Sequence, residues 1–406
     1  RSKIMDLSAF YPIVDDFHRK RAEELYNRFI ELNGKKPEYV ISSPGRAEIL
    51  GNHTDHNHGK VMVAAINCDI LCFVSPDASG KITIHSDGFS PIVTNVNDTE
   101  INEKQFGTSL ALVKGVCAKI KSLGYTVGGF TACATSNIFK GAGVSSSAAY
   151  EVMIAEIFNM LYLDGKLTAV DKAVISQYAE NVYFGKPCGL LDQSGIAIGS
   201  LSKLDFKTSL PEITKLAPPD GYTIVLTNTG GDHAKLTEHY AAIRVEMESV
   251  AAYFGKKVLR EVDYDEFLAA IPQLKKSLSS RAILRAMHYY SENQRVDEAE
   301  VALLNNDIQG FLKAVSASGE SSLAILQNCY VPGSVDQPVV LAVEYSKRIV
   351  KDGAFRVHGG GFAGSVLGIV NNNEAEMYVQ AMKKVFGEEN VFTALVRPTG
   401  TCGAKL

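Results

Sequence analysis

Hydrophobic and polar positions along the chain follow two periods, and the longer one marks helices. Between residues 7 and 33, Phe17, Ala22, Leu25, Tyr26, Phe29 and Ile30 recur at helical spacing among charged neighbours, and Asn33-Gly34 offers a left-handed stop. The same spacing predicts helices over 107–123, from the serine run at 145 to about Leu161, over 168–184 and from His233 to Phe254. Shorter helical patterns follow near 264–270, 281–293, 297–304, 308–318, 337–350 and 374–386. Strands are predicted at Tyr39–Ser42, in the apolar run Val61–Val74, and at Lys81–His85 and Gly129–Ser136. Further strands fall at Leu204–Lys207, Tyr222–Asn228, Val366–Val370 and 391–397. Ser43-Pro-Gly reads as a turn, and Leu216-Ala-Pro-Pro219 as the joint between two domains, 1–215 and 216–406.

Four stretches interrupt these patterns with chemistry. The first is Lys140-Gly-Ala-Gly-Val-Ser-Ser-Ser-Ala148, which opens a helix. Its glycines let backbone N–H groups approach a ligand, Ser145 to Ser147 can cap the helix start, and a bare helix N-terminus attracts anions. A phosphate cradle is therefore expected, although neither G-x-x-x-x-G-K-[ST] nor a strand-linked G-x-G-x-x-G is present. The second is Arg46-Ala-Glu-Ile-Leu-Gly-Asn52-His53-Thr54-Asp55-His56-Asn57-His58-Gly59, read as a loop between two strands. Its histidines match no zinc spacing and no cysteine assists them, so paired Asp and Asn groups recognising a polyol are the better reading.

The third stretch, Lys186-Pro-Cys-Gly-Leu-Leu-Asp192-Gln193, places a carboxylate in a loop with apolar neighbours. Just before it, the 168–184 helix begins with a Thr168/Asp171 capping box and carries Glu180 in its last turn, where the helix dipole disfavours a carboxylate. A local rule broken beside a motif points to function. The fourth is Phe355-Arg-Val-His-Gly-Gly-Gly-Phe-Ala-Gly-Ser365, whose glycines again permit close approach.

Composition narrows the class. With 406 residues and 46% hydrophobic content the chain can bury more than one core. A formal net charge of −4 supplies no attraction for nucleic acid or anionic membrane. No apolar run of about 18 residues is present, and the seven cysteines show no CxxC. A cytoplasmic monomer working on small molecules, without nucleic acid or membrane partners, is the expectation.

Taken together, the four stretches resemble the galactokinase branch of the GHMP small-molecule kinases. The signature G-R-x-x-x-x-G-E-H-T-D-Y-N-x-G corresponds to Gly45 to Gly59, and the nucleotide loop P-x-G-x-G-L-S-S-S-A to Phe139 to Ala148. G-x-P-C-G-x-x-D-Q is intact from Gly185 to Gln193, and G-G-G-F-x-G from Gly359 to Gly364. Three departures stand out: Asn52 in place of Glu, His56 in place of Tyr, and Phe139 in place of Pro.

The resemblance implies a two-domain α+β fold. A ribosomal-protein-S5-domain-2-like N-terminal domain would face a ferredoxin-like C-terminal domain, with the active site in the cleft between. It implies ATP and Mg²⁺, with Gly141, Ala142, Gly143, Val144, Ser145, Ser146, Ser147, Gly360 and Gly361 at the nucleotide and with Ser147 and Glu180 on the metal. It makes Asp192 the catalytic carboxylate beside Arg46, and maps sugar contacts onto Asn52, His53, Thr54, Asp55, Gly189 and Tyr240. The implied activity is transfer of phosphoryl from ATP to the anomeric hydroxyl of a sugar, galactose first. Alternatives are a pentose, uronic acid or amino sugar, and a non-catalytic sugar and ATP sensor.

Overall fold

The computed structural model describes residues 5–138, 141, 143–231 and 236–406. Its elements begin with α1 (Asp16–Asn33), β1 (Tyr39–Leu50), β2 (Lys60–Asp77), β3 (Lys81–Ser86), β4 (Ile92–Asn95), α2 (Ser109–Ser122) and β5 (Gly129–Ser136). Next come α3 (Ser146–Tyr162), α4 (Ala169–Tyr178), α5 (Leu191–Ile198), β6 (Leu201–Asp205), β7 (Glu212–Leu216) and β8 (Tyr222–Asn228). Then follow α6 (Thr237–Tyr253), α7 (Tyr264–Ser277), α8 (Ser280–Leu304), α9 (Ile308–Ser321) and α10 (Pro338–Ile349). The chain finishes with β9 (Gly353–His358), β10 (Ser365–Asn371), α11 (Asn372–Phe386), β11 (Val391–Ala394) and β12 (Cys402–Lys405).

Two sheets organise these elements. The first runs β12-β1-β2-β5-β3-β4, with β6 on the remaining half of β2 and β7 beyond it. Its spine is β2, which pairs with β1 along nearly its whole length, with β5 from Ile70 to Asp77, and with β6 from Lys60 to Ala64. Both faces of β2 are covered, so it reads as a continuous apolar run and not as an alternation. The second sheet is antiparallel, β11-β8-β10-β9. Its alternation sends Val225, Val357 and Val366 under α10 and α11. Ile224, Leu226 and Leu367 face the other way, into the apolar cluster that also holds the first sheet and α9. One core therefore spans both sheets.

Several sequence expectations need correction. The first helix starts at Asp16, not residue 7: Asp15 caps it in a box with His18, while Leu7, Phe10 and Tyr11 fold back onto it as a buried turn. Ser43-Pro-Gly is no turn. Strand β1 continues through it to Leu50 with a register shift between Pro44 and Arg46, which puts Arg46 on a strand. The helix expected over 168–184 changes at Tyr178 into a π-helical turn closed by Gly185 at φ 78°. The patterns at 281–293 and 297–304 form one helix, because Glu292 to Arg295 are polar without a breaker. The strand expected over 391–397 stops at Ala394, and β12 escaped notice because Cys402–Lys405 is too short for a period to show. The expected helix start at His233 lies outside the described residues, as do Phe139, Lys140 and Ala142.

Candidate active site

The bulge in β1 is where the site begins. A Cβ at Gly45 would lie 2.9 Å from Cys68 Sγ and 3.2 Å from the Val144 carbonyl oxygen, so glycine here admits the nucleotide-loop candidate against the strand. The Arg46 N–H donates to that Val144 oxygen at 3.2 Å. The Arg46 side chain then does two things. Its Nε donates to Asp192 Oδ1 at 2.8 Å, and its Nη1 donates to the Gly143 carbonyl at 2.6 Å. Asp192 is in the first turn of α5, where a carboxylate suits the helix dipole.

Ser145 completes this arrangement in an unexpected way. It occupies the N-cap position of α3 but makes no side-chain cap. It sits at φ 62°, a left-handed conformation costing about 1–2 kcal/mol for a residue with a Cβ. That backbone aims its Oγ at Asp192 Oδ2, 2.6 Å away. Both oxygens of Asp192 are thus held, one by a guanidinium and one by a hydroxyl. Burial pushes the Asp192 pKa up, but the Arg46 charge and the hydrogen bonds from Arg46 and Ser145 outweigh it, and the carboxyl stays below its usual range. Val144 is buried behind the loop, Ser146 is exposed and Ser147 half-buried in the first turn of α3. A Cβ at Gly141 would lie 2.3 Å from Asn228 Nδ2, so this end of the loop packs against β8 of the second sheet.

The signature turn after β1 supplies the cavity wall. A cavity of about 160 Å³ is lined by Arg46, Glu48, Asn52, His53, Asp55, Cys188, Gly189, Leu191, Asp192, Gln193, Gly359 and Gly360. It lies where the β1–β2 connection, the start of α5 and the β9–β10 connection meet, between the two sheets. Gly189 is there to admit Asp55: a Cβ would fall 2.3 Å from Asp55 Oδ2. His53 bonds the Gly360 carbonyl through Nε2 at 2.9 Å, and burial pushes its pKa down to about 4, so the ring is neutral. Tyr240 backs this wall without lining the cavity, its ring stacked at 6.5 Å on His53 and its hydroxyl donating to the Gly361 carbonyl. Thr54 also stays out of the cavity. Its hydroxyl is spent on the Gly51 and Lys60 carbonyls that shape the turn. The second glycine loop is equally constrained: Gly360 abuts the Tyr240 ring, and a Cβ at Gly361 would lie 2.1 Å from the Asn328 carbonyl oxygen.

Asp55 is the titrating member of the cavity. Burial first, and then the nearby Glu48 and Asp192 charges, raise its pKa to about 7. A group whose folded pKa is raised contributes stability below its unfolded value and loses it as pH climbs through the folded one. Asp55→Asn is therefore expected to raise Tm relative to the parent at about pH 8 and to raise it less near about pH 5, because the stability is lost as pH climbs from 3.8 to about 7. Thermal melts at the two pH values check this, and a larger gain at the lower pH would contradict it.

Glu180 is buried in the π-helical turn and accepts from Gln193 Nε2 at 2.8 Å. Glu151 of α3 lies against it, its carboxyl pushed up to about 10 by burial and by Glu180, and its Oε1 has no hydrogen-bond partner. Crowded carboxyls with an orphaned oxygen fit a divalent cation. Among the described residues no group of three or more His, Cys, Asp or Glu could hold a metal by itself. Sequence reasoning missed Glu48, Cys188, Leu191, Gln193 and Gly359 as cavity residues, although all five lay inside quoted stretches; Glu48 fell at an unspecified position of the signature, in what was read as a loop.

The fold and this pairing of loops define a class. Residues 111–200 match the model of the GHMP kinases N terminal domain. A Methanococcus jannaschii mevalonate kinase structure shares the architecture at 15% identity and a TM-score of 0.63, over 90% of this chain and 99% of that one. A Lactococcus lactis galactokinase structure, complexed with galactose, superposes with a TM-score of 0.81 at 24% identity, over 95% of this chain and 100% of that one. The protein thus has the GHMP kinase fold.

Residues 27–76 match the galactokinase galactose-binding signature. The chain is 32% identical to the galactokinase of Clostridium tetani over 378 residues, covering 90% of this chain and 92% of that protein. It is 32% identical to the Streptomyces coelicolor galactokinase over 365 residues, covering 88% and 91%. It belongs to the galactokinase family. Among the described residues no helix is long and apolar enough to cross a membrane.

Proposed function

We propose that this chain transfers the γ-phosphoryl group of ATP to the C1 hydroxyl of galactose, giving galactose 1-phosphate. The observation that carries this is Asp192, held on both oxygens by Arg46 and Ser145, at the meeting of a polar sugar-sized cavity and a glycine loop at a helix start. In this reading Asp192 accepts the proton of the attacking hydroxyl, and its depressed pKa makes that transfer late. Arg46 orients Asp192 and offsets charge on the transferring phosphoryl group. His53, Asp55 and Gly189 face the sugar, Asn52 lines the wall beside them with its amide held by protein partners, and Thr54 and Tyr240 fix that wall from behind. Residues 141–147, Ala142 included, cradle the triphosphate, with Gly360 and Gly361 closing the opposite side.

Ser147 and Glu180 would hold Mg²⁺, which neutralises charge on the phosphates when bound. EDTA is then expected to abolish turnover and added Mg²⁺ to restore it. Glu180→Gln should raise the Mg²⁺ concentration needed for half-maximal rate by about 10-fold or more. A variant with unchanged Mg²⁺ dependence would remove Glu180 from the metal. We place the domain boundary at residues 216–219 and the working form as a cytoplasmic monomer.

The cavity's own charge bears on the sugar. Among the described residues lining the cavity Arg46 supplies the cation, and Asp192 already pairs with it, so an anionic uronate finds no free counter-charge. A coupled ADP-release assay with galactose, arabinose, galactosamine and galacturonate tests the proposal. Galactose-dependent ADP release with a 1-phosphate product is the expected result. Turnover only with another sugar, or binding of sugar and ATP without turnover, overturns it.

A further inference from the structure

Asn52 stands where the family signature carries a glutamate, and its amide is fully occupied. Its Nδ2 donates to the Gly359 carbonyl at 2.8 Å and to Glu48 Oε1 at 3.3 Å. Its Oδ1 accepts from Asn328 Nδ2 at 2.8 Å and from Ser322 Oγ at 3.2 Å. The residue is completely buried. An amide has two donors and one acceptor oxygen, so nothing of Asn52 is left for a ligand. It works as a bracket joining β1, the β9–β10 loop and the segment after α9.

What this bracket holds is a carboxyl. Glu48 lies two residues beyond Arg46 on β1, hence on the same face of the strand, and it lines the cavity with Arg46, Asp55 and Asp192. Its Oε1 takes the long hydrogen bond from Asn52, and no hydrogen bond to Oε2 is found among the described residues. Its main-chain N–H is fixed by His358 Nε2 at 2.9 Å, so the residue is anchored from two sides. Burial pushes the Glu48 pKa up, and two cations within electrostatic reach, the fully buried Arg356 and then Arg46, oppose that shift. Arg356 uses Nη1 on the Ile49 carbonyl and leaves Nε and Nη2 without partners. A carboxyl is thus kept at the cavity surface with one oxygen anchored and the other available.

We propose that Glu48 is a specificity-determining residue of the sugar site: its Oε2 accepts a sugar hydroxyl away from the reacting carbon. This rests on the reading of the cavity given under Proposed function. Asp192 is already paired with Arg46 beside the glycine loop, where the reacting hydroxyl must lie, so a second carboxyl further along the same strand meets a different hydroxyl. Such a contact discriminates strongly, because a sugar lacking the hydroxyl leaves a cavity carboxyl without its partner.

The test compares the full-length parent and Glu48→Gln on galactose and on the monodeoxygalactoses lacking each non-anomeric hydroxyl in turn. With its amide oxygen turned to Asn52, glutamine presents an NH₂ where Oε2 accepts, which predicts a fall in kcat/KM on galactose of about 10–100-fold, carried mainly by KM. For one monodeoxygalactose the variant should match the parent within about threefold, because the hydroxyl that Glu48 holds is already gone. Equal losses on every sugar, or an unchanged rate on galactose, overturns the proposal, the first being the signature of a purely structural role. Melting curves establish that the variant folds, and Glu48→Ala serves the same comparison if it does not. A parent that turns over no sugar in the panel refutes the kinase reading itself, which separates the two failures.

Discussion

Asp192→Asn is expected to lower kcat by about 10²–10⁴-fold while ATP binding changes little. The substitution keeps the shape of the side chain and an oxygen to accept from Arg46 Nε, but it removes the proton-accepting oxygen that now faces Ser145. Galactose turnover by coupled ADP release and ATP affinity by calorimetry measure the two quantities separately. A near-normal kcat would show that the sugar loses its proton elsewhere, and the reading of the site would fall with it. A stability consequence accompanies the kinetic one. The Asp192 pKa is depressed in the folded chain, so its contribution to stability is present above the ordinary value of 3.8 and is lost as pH falls through the folded value. Asp192→Asn should therefore lower Tm at neutral pH, because the buried Arg46 loses its hydrogen-bonded counter-charge, and the deficit should shrink in acid.

The parts of the site that were legible in the sequence are those whose chemistry requires an unusual residue. Glycines at 141, 143, 189 and 360 announce close approach, and the structure shows what approaches at Gly189, where Asp55 takes the space of a Cβ, and at Gly360, where the Tyr240 ring does. Asp192 was legible as a carboxylate among apolar neighbours, and Glu180 as one set against the helix dipole. Ser145 was legible as a helix-start serine, yet its left-handed backbone sends the hydroxyl to Asp192, a destination set by tertiary packing. Glu48 lay inside the quoted Arg46–Gly59 stretch but was given no role. Ser43-Pro-Gly has the composition of a turn, and only the pairing of β1 with β2 on both sides of Pro44 reveals a strand that carries Arg46 and Glu48 into the cavity. Strand β12 was invisible for the same reason: its pairing with β1 joins residues far apart in the chain.

Arg46→Lys tests the other half of the acid–guanidinium pair and separates charge from geometry. One guanidinium now bridges Asp192 Oδ1 and the Gly143 carbonyl, which ties the acid to the nucleotide loop across an otherwise open junction. An ammonium keeps the charge but lacks the rigid fork that reaches both acceptors at once. Lysine is therefore expected to lower kcat by about 10²–10³-fold, comparable to losing one preorganised donor to the transition state. KM for ATP should also rise, because the Gly143 carbonyl loses its partner and the loop loses its brace. Arg46→Met, which removes charge and fork together, should be worse in kcat and similar in KM for ATP. If lysine supports the parent's kcat and KM, the charge alone suffices, and the bridge from Asp192 to Gly143 is a packing feature without a part in phosphoryl transfer. If instead lysine matches methionine in kcat, the fork carries the whole effect, and the position of Asp192 relative to the loop outweighs the charge beside it.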